Sequence, residues 1–308
     1  MKLGINQSIN QSQPLADAFK AACMAELEAL KPGNVHIFAD GHGMTVQDFM
    51  ASAEAASVVI AQPNLSLGER ILHSVQATQK VIACNTNLGI ILLCAPLIHA
   101  ALQPSTLTFM QSLKSVLANT TIEDAENTFA AIRLANPAGL GESAQFDVHK
   151  TAICTLLMAM QTAANRDLAG DMLSKDMIAQ QYTNNYAEIM ESLVVYQQAL
   201  ARWQRPAWAA TAVHLHFMAH FLDSHIVRKY GATIAKLVQN EALEHEGEFL
   251  KAYNPKNYLA PLLKFDEALK KRRLNPGTSA DLTVTTLLMA YLLASDQQLV
   301  NHSPLVNH

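Results

Sequence analysis

Apolar residues along this chain of 308 residues recur at the spacing of helices, and the alternation that is typical of strands is almost absent. Ala, Leu, Met and Gln are plentiful and aromatic residues are scarce, a composition that favours helices. Residues 35–38 alone show a weak tendency toward a short strand. The sequence therefore predicts an all-α protein whose helices pack around a large apolar interior.

Short local signals mark where the predicted helices begin and end. Pro32 lies just after the first helix, and Thr120 with Glu123 fits a capping box. Ser174 and Ser279 are the predicted caps of two later helices. The predicted helices cover residues 15–30, 45–61, 68–83, 88–102, 120–135, 174–193, 207–222 and 282–294.

The organisation of the chain is simple. It contains no long linker rich in proline, glycine or serine, no internal repeat and no low-complexity block. We therefore expect a single domain over residues 1–308. Residues 1–13 and 296–308 are polar, and we expect them to form flexible ends.

Charge and hydropathy argue against several classes of partner. The formal net charge is −4, and lysine and arginine are scattered rather than clustered, so no surface matches a nucleic-acid backbone. The longest apolar run, Leu88–Leu102, is too short to span a bilayer comfortably and contains Pro96 and His99. This run predicts a buried helix, and the polar N-terminal segment lacks the apolar core of a secretion signal. We therefore expect a cytoplasmic protein that binds neither nucleic acid nor membranes.

The cysteines agree with this localisation. Cys23, Cys84, Cys94 and Cys154 form no CxxC pair, and they lie in apolar stretches. They are interpreted as buried free thiols in a reducing compartment.

Five polar clusters interrupt the apolar helices. Each mixes glycine or asparagine with charged residues, and glycine lets a backbone approach a ligand closely. Because helix N-terminal amides bind anions, such loops would converge on one ligand pocket of a helical fold. The clusters are Glu26 with 31–36, 68–70 with 85–89, 136–141 with Asp147, 223–231, and 275–281.

Each cluster also has a purely structural interpretation. A proline and glycine turn often only ends a helix, and Asp147 is the kind of residue that caps one. Asp223 and Arg228 could form a surface ion pair. The histidines at 214, 216 and 220 are interpreted as helix-face residues rather than metal ligands. Neither a P-loop motif nor a Rossmann motif occurs in the chain.

Taken in order, the clusters resemble the triphosphoribosyl-dephospho-CoA synthase family over residues 15–295. The matching elements are Glu26 before a Lys-Pro-Gly turn, the Asn-Thr turn at 85–89, Asp223 with Arg228, and the Asn-Pro-Gly turn at 275–281. The resemblance implies an enzyme that displaces adenine from C1′ of ATP. The 5-triphosphoribosyl unit then passes to the 2′-hydroxyl of dephospho-CoA.

The chain departs from the citrate-lyase type of this family at one turn. That type carries Thr-His-Lys-Gly after the first asparagine, whereas this chain carries Thr86, Asn87, Leu88 and Gly89. Its loops are more similar to a branch in archaea and methylotrophic bacteria that is associated with tetrahydromethanopterin-type C1 carriers. The resemblance therefore implies an acceptor with a ribitol hydroxyl, and either ATP or phosphoribosyl pyrophosphate as the donor.

This chemistry passes through an oxocarbenium-like state, so it needs carboxylates, a base, cations and Mg²⁺. The candidate catalytic residues are Glu26, Glu69, Asp147 and Asp223. The candidate substrate-binding residues are Lys31, Gly33, Asn34, Arg70, Asn85, Thr86, Asn87, Arg228, Lys229, Asn275, Gly277 and Thr278. The candidate Mg²⁺ ligands are Asp223 and Asp281.

Three alternatives stay open. The chain could transfer the triphosphoribosyl unit to dephospho-CoA, hydrolyse a nucleotide, or bind a nucleotide without catalysis. The expected partners are a small-molecule nucleotide donor and an acceptor, and so apolar a chain could also form a homodimer.

Overall fold

The computed structural model describes residues 3–104, 106–137, 146–165 and 175–302. Within these residues the chain forms fourteen α-helices and one 3₁₀ turn, Pro255–Tyr258, and no strand. The predicted all-α class is therefore confirmed. The tendency toward a strand at 35–38 is wrong, because His36 bridges only to Ala39 across a tight turn.

The helices follow one another in this order. They are α1 (Leu3–Glu28), α2 (Val46–Ile60), α3 (Leu67–Val81), α4 (Leu88–Leu102), α5 (Phe109–Ala118), α6 (Ile122–Ala135) and α7 (Leu156–Ala164). Next come α8 (Met177–Asn184), α9 (Ala187–Trp203), α10 (Pro206–His220), α11 (Ser224–Tyr230), α12 (Ala232–Lys251), α13 (Leu259–Lys271) and α14 (Gly277–His302). The sequence patterns do not indicate α5, α7 and α11–α13.

The start of α6 differs by one residue from its prediction. Thr121, not Thr120, is the cap: its hydroxyl accepts a hydrogen bond from Asp124 N at 3.0 Å, and Asp124 accepts one from Thr121 N at 2.8 Å. Thr120 is buried and accepts a hydrogen bond from Leu157 N at 3.0 Å. The hydroxyl of Thr120 is thus used to hold α7 against the start of α6.

The predicted helix over 174–193 is two helices. Asn185 and Tyr186 both have left-handed backbone angles, with φ of 57° and 64°, and they separate α8 from α9. The buried Tyr186 hydroxyl donates to Leu93 O at 2.7 Å, and this contact with α4 holds the break in place. Ser174, the predicted cap, lies outside the described residues, and Asp176 caps α8 instead.

The first and last helices are longer than predicted. Helix α1 begins at Leu3 and includes Pro14, and α14 begins at Gly277 rather than near 282. The early start of α14 has a clear cause. A carboxylate oxygen of Asp223 accepts a hydrogen bond from Ser279 N at 2.8 Å within the first turn of α14.

Helices α4, α10 and α14 form the centre of the molecule. Helix α14 contacts α1, α4, α9 and α10, and most of Leu88–Leu102 is buried, as its apolar composition predicts. Within the described residues, Gly277–Ala294 is long and apolar enough to cross a membrane, but 67% of it is buried inside the protein. Such burial is typical of a core helix.

The cysteines are free, and three of the four are buried as predicted. Cys84 is the exception, because it is exposed on the loop between α3 and α4. The interpretation of Cys84 as a buried thiol is therefore wrong.

Candidate active site

A cavity of about 630 Å³ opens where the N-terminal ends of α4, α8, α11 and α14 meet. The segment after α1 closes one side of it. This volume lies in the range of small-molecule binding sites. Amides at helix N-termini favour anionic ligands, although carboxylates already cap two of these four ends, Asp176 at α8 and Asp223 at α11.

The cavity has a polar wall and an apolar wall. The polar wall combines carboxylates, amides, imidazoles and two cations, namely Glu26, Asp147, Asp176, Asp281, Asn34, Asn85, Asn87, Asn275, His42, His225, Arg228 and Lys229. The apolar wall includes Phe129, Ile132, Phe146, Leu156 and Met160. An elongated ligand with one charged end and one flat apolar end fits such a cavity.

Glu26 is held at the cavity by a buried polar chain. Lys31 Nζ donates to Glu26 Oε1 and, at 3.2 Å, to Asn34 Oδ1. Asn34 Nδ2 in turn donates to Asn275 Oδ1 at 2.8 Å. Burial raises the pKa of Glu26 and lowers the pKa of Lys31, while their mutual attraction opposes both shifts. The chain of contacts ties the end of α1 to the start of α14.

Asp281 lies directly over the first turn of α4. A Cβ atom built on Gly89 would stand 2.0 Å from Asp281 Oδ2, so a side chain at residue 89 would overlap the carboxylate. Asp281 has no side-chain hydrogen bond within the described part of the chain, and its carboxylate is partly open to the cavity. The pKa of Asp281 is raised well above its ordinary value, first by desolvation and then by Glu26 and Asp223.

Arg228 is the better fixed of the two cations. Its guanidinium donates to Asp176 Oδ2 at 3.1 Å, while Asp176 Oδ1 caps α8. The Lys229 ammonium is exposed and lies 5.3 Å from the ring centre of Tyr230. Among the described residues Arg228 uses one donor, on Asp176, so a guanidinium with five donors can also serve an anionic ligand there.

The two residues predicted at the start of α3 do not line the cavity. Glu69 belongs to a capping box, in which Ser66 N donates to Glu69 Oε2 at 2.8 Å, and the hydrogen bonds from Ser66 lower the pKa of Glu69. Arg70 is buried and donates to the carbonyls of Ile60, Gln62 and Leu65 at 2.6, 2.8 and 3.3 Å. Burial lowers the pKa of Arg70 to about 10. The predicted placement of Glu69 and Arg70 in the pocket is wrong, because both hold the connection between α2 and α3.

Asp223 is also placed differently from its prediction. Its Oδ1 accepts from the backbone of His225 and Ile226, and its Oδ2 accepts from the backbone and hydroxyl of Ser279. Because these four hydrogen bonds use the acceptor positions of a carboxylate, Asp223 is poorly suited to bind Mg²⁺. Asp223 instead fastens α11 to α14 and fixes the position of Asp281.

Gly33 and Lys31 lie behind the cavity wall. Gly33 has φ of 82°, donates from N to Asp266 Oδ1 at 2.8 Å, and packs so closely on Pro276 that a Cβ atom would clash with it. Lys31 is fully buried against Glu26. Both residues shape the wall, and neither is one of its lining residues.

The turn at 85–89 does line the cavity, but it also makes internal contacts. Asn85 Oδ1 accepts from Leu88 N at 3.1 Å, and Asn87 Nδ2 donates to Thr78 Oγ1 at 3.0 Å. Thr86 shares a hydrogen bond with a serine of α2. Asn87 makes no side-chain cap for α4, so the first-turn amides of α4 are not covered by it.

The remaining predicted residues lie where the clusters suggest. Asn275, Gly277 and Thr278 line the cavity at the start of α14, and Thr278 Oγ1 accepts from His225 N at 3.2 Å. Asp147 lines the opposite side, where its Oδ1 accepts from the next-but-one backbone amide at 2.8 Å. Most of the predicted 136–141 loop belongs to residues 138–145, which lie outside the described residues.

Sequence reasoning misses several lining residues. Asp176 is visible in the sequence only as a possible helix cap, and its partner Arg228 is 52 residues away. His42 and the aromatic residues of the apolar wall carry no motif. His225 belongs to the predicted cluster at 223–231, and burial lowers its pKa. In the sequence, the polar residues at the starts of the helices are the only pattern that could have indicated these lining residues.

The fold and the cavity define an all-α enzyme whose site suits a phosphorylated small molecule. The family model described as ATP:dephospho-CoA triphosphoribosyl transferase matches residues 12–299. The chain therefore belongs to this family of transferases.

One curated relative agrees with this membership, and one solved structure shares the fold. A 2-(5''-triphosphoribosyl)-3'-dephosphocoenzyme-A synthase from Haemophilus ducreyi is 34% identical over 79 residues, which cover 26% of this chain and 24% of that protein. The crystal structure of a proposed triphosphoribosyl-dephospho-CoA synthase from Archaeoglobus fulgidus superposes with a TM-score of 0.58 and 20% identity. This superposition covers 78% of this chain and 97% of that one. At such low identity the second match supports the shared fold alone.

Proposed function

We propose that this protein transfers a triphosphoribosyl unit from a nucleotide donor to an acceptor hydroxyl in the cavity at the helix N-termini. The family membership supports the reaction class. The observation that carries the proposal is the position of Asp281. It is an unpartnered carboxylate among the described residues, next to Glu26 and over Gly89 in the first turn of α4.

The two walls of the cavity suggest how a nucleotide binds. A purine ring would pack against the aromatic residues Phe129 and Phe146. The polyphosphate would extend toward Arg228, Lys229 and the first-turn amides of α14. The ribose C1′ atom would then lie between the walls, near the carboxylates.

Mg²⁺ fits this arrangement. Four carboxylates face two cations in the cavity, so a polyphosphate would be repelled without a bridging metal ion. The raised pKa of Asp281 means that its charged form is poorly stabilised, which a divalent cation would correct. Asp281 is the candidate ligand, because Mg²⁺ commonly uses one or two carboxylates together with substrate phosphates. Bound there, Mg²⁺ would neutralise charge on the polyphosphate.

The reaction breaks the bond from C1′ to N9 of adenine and forms a bond from C1′ to the acceptor oxygen. The leaving adenine gains a proton and the acceptor hydroxyl loses one, so a base is required. Carboxylates beside C1′ would stabilise the positive charge that develops there. Glu26 and Asp147 are the candidates for the base, because both line the cavity, whereas Asp223 is not one of its lining residues and accepts four hydrogen bonds.

Dephospho-CoA is the acceptor that the family description names. A second candidate is an acceptor with a ribitol hydroxyl attached to a pterin or aminobenzene group, as in tetrahydromethanopterin-type C1 carriers. The turn at 85–89 favours the ribitol acceptor. Asn87 is hydrogen-bonded to Thr78 and Leu88 is buried, so this turn offers no cation to the phosphates of dephospho-CoA.

The test offers the purified protein each donor, ATP or phosphoribosyl pyrophosphate, with each acceptor, and analyses the products by mass spectrometry. A glycosidic product with either acceptor supports the transferase, and the preferred acceptor decides between the two candidates. Efficient formation of triphosphoribosyl-dephospho-CoA would exclude the ribitol acceptor as the main substrate. Release of adenine without any transfer product would contradict the proposal and favour a hydrolase.

A further inference from the structure

A cluster of two histidines and a glutamate lies on α10 and α12, among residues that do not line the cavity. His216 and His220 are one turn apart on α10, and their ring centres are 4.5 Å apart. Glu246 of α12 faces both rings, with Oε1 at 3.1 Å from His216 Nδ1 and Oε2 at 2.8 Å from His220 Nε2. One candidate ligand atom from each residue lies within 4.8 Å of the other two.

We propose that His216, His220 and Glu246 form a binding site for a transition-metal ion of the Zn²⁺ class. Two imidazoles with one carboxylate are ligands that Zn²⁺ commonly takes, whereas Mg²⁺ and Ca²⁺ prefer oxygen ligands. In a tetrahedral site with metal–ligand bonds of about 2.0 Å, neighbouring ligand atoms stand roughly 3.3 Å apart. The two observed nitrogen-to-oxygen distances are close to this spacing.

The surroundings of His216 support the proposal independently. Its side chain is only 9% exposed, and its Nε2 atom is buried without a hydrogen-bond partner among the described residues. The carboxylate of Glu191 on α9 lies 3.9 Å from this atom. With a metal ion on Nδ1, the proton of His216 would sit on Nε2 and face Glu191. A carboxylate behind a metal-bound histidine is the usual way in which such a ligand is oriented.

The same geometry shows how an ion would enter. The His220 side chain is 44% exposed, so the cluster opens to solvent on that side, where water can complete the coordination. The Glu246 side chain is only 7% exposed, and its two oxygens face the two histidines. An ion bound here would join α10 to α12 and stabilise their packing, at a distance from the proposed chemistry.

The experiment uses the full chain, first stripped of metal with a chelator and then desalted. Zn²⁺ is titrated against a chromophoric competitor, and Co²⁺ absorption reports the coordination geometry. We expect one tight Zn²⁺ per chain, tetrahedral Co²⁺ bands, and a rise in Tm on adding Zn²⁺. His220→Ala should weaken Zn²⁺ binding at least 100-fold and abolish the rise in Tm. Glu191→Gln should weaken it by roughly 10-fold, the effect of losing an outer partner.

His73→Ala is the matched control, because it removes an imidazole from α3 and should leave Zn²⁺ binding unchanged. Glu246→Gln provides a second variant if His220→Ala loses its helical circular dichroism spectrum. The proposal is overturned if wild-type protein binds no Zn²⁺, or if His220→Ala and Glu246→Gln bind it as tightly as wild type does. Equal affinity in these variants would assign the ion to other histidines or to the exposed Cys84.

Discussion

Replacing Gly89 by alanine should separate catalysis from folding. The new Cβ atom would stand 2.0 Å from Asp281 Oδ2 and 2.6 Å from its Cγ. Because an ordinary carbon-to-oxygen contact is about 3.4 Å, the Asp281 carboxylate must retreat by roughly 1 Å or more. A misplacement of about 1 Å at a reacting centre can cost on the order of 100-fold in rate. We therefore expect kcat to fall by about 100-fold, equivalent to ~2.7 kcal/mol of transition-state stabilisation.

Folding should survive this change. The other close neighbour of the new Cβ atom is the end of the Ile178 side chain at 3.0 Å, and both Asp281 and Ile178 can rotate. Alanine is favoured over glycine within helices by up to about 1 kcal/mol, so Tm should stay equal or rise. Adenine release from ATP measures kcat, and thermal unfolding measures Tm.

Gly247→Ala is the matched control for Gly89→Ala. Gly247 is exposed in α12, and a Cβ atom built on it would meet no described atom within 4 Å. This variant should gain helix stability and keep wild-type kcat. If Gly89→Ala keeps kcat within about threefold of wild type, the position of Asp281 does not matter to the chemistry. Loss of folding in Gly89→Ala would refute the claim that the Asp281 side chain can move aside.

Three further predictions follow from the contacts. Glu69→Ala should lower stability by about 1 kcal/mol, through loss of the capping box, with kcat unchanged. Arg70→Met should lower stability by about 2–5 kcal/mol, because it leaves three carbonyls without their donor, and the fraction that folds should keep full kcat. Asp281→Asn should abolish activity. Above the ordinary aspartate pKa, its free energy of unfolding should exceed that of wild type by an amount that grows with pH. Because the pKa of Asp281 is raised in the folded protein, protonated Asp281 adds to the free energy of unfolding of the wild type. This addition is complete below the ordinary aspartate pKa and is lost as pH rises toward the folded-state pKa. Urea unfolding of wild type and Asp281→Asn at pH 4 and pH 8 checks this sign, and a stability difference that shrinks with pH would contradict it.

The helices could be predicted because their signals are local. Apolar spacing and side-chain caps act within a few residues, so Leu88–Leu102 was predictable to the residue. The break between α8 and α9 was not predictable, because it is held by the contact of Tyr186 with Leu93 on a distant helix. Likewise, Thr120 and Thr121 are equally good caps in sequence, and only the packing of α7 decides between them.

The candidate site was predictable in part for a related reason. Carboxylates that cap helices and carboxylates that face ligands occupy the same kind of sequence position, just before or within the first turn of a helix. The sequence therefore suggests Glu69, Asp223 and Asp281 alike. Only their partners separate them: Ser66 engages Glu69, Ser279 engages Asp223, and Asp281 is left facing the cavity.

The central claim is that the cavity transfers a sugar unit rather than hydrolysing or merely binding a nucleotide. It is tested most directly by the rate of adenine release from ATP, measured with Mg²⁺ in the presence and absence of acceptor. We predict that release needs an acceptor, stays stoichiometric with the glycosidic product, and is lost in Asp281→Asn. Steady adenine release without acceptor would identify a hydrolase, and the absence of any release with every acceptor would contradict the account.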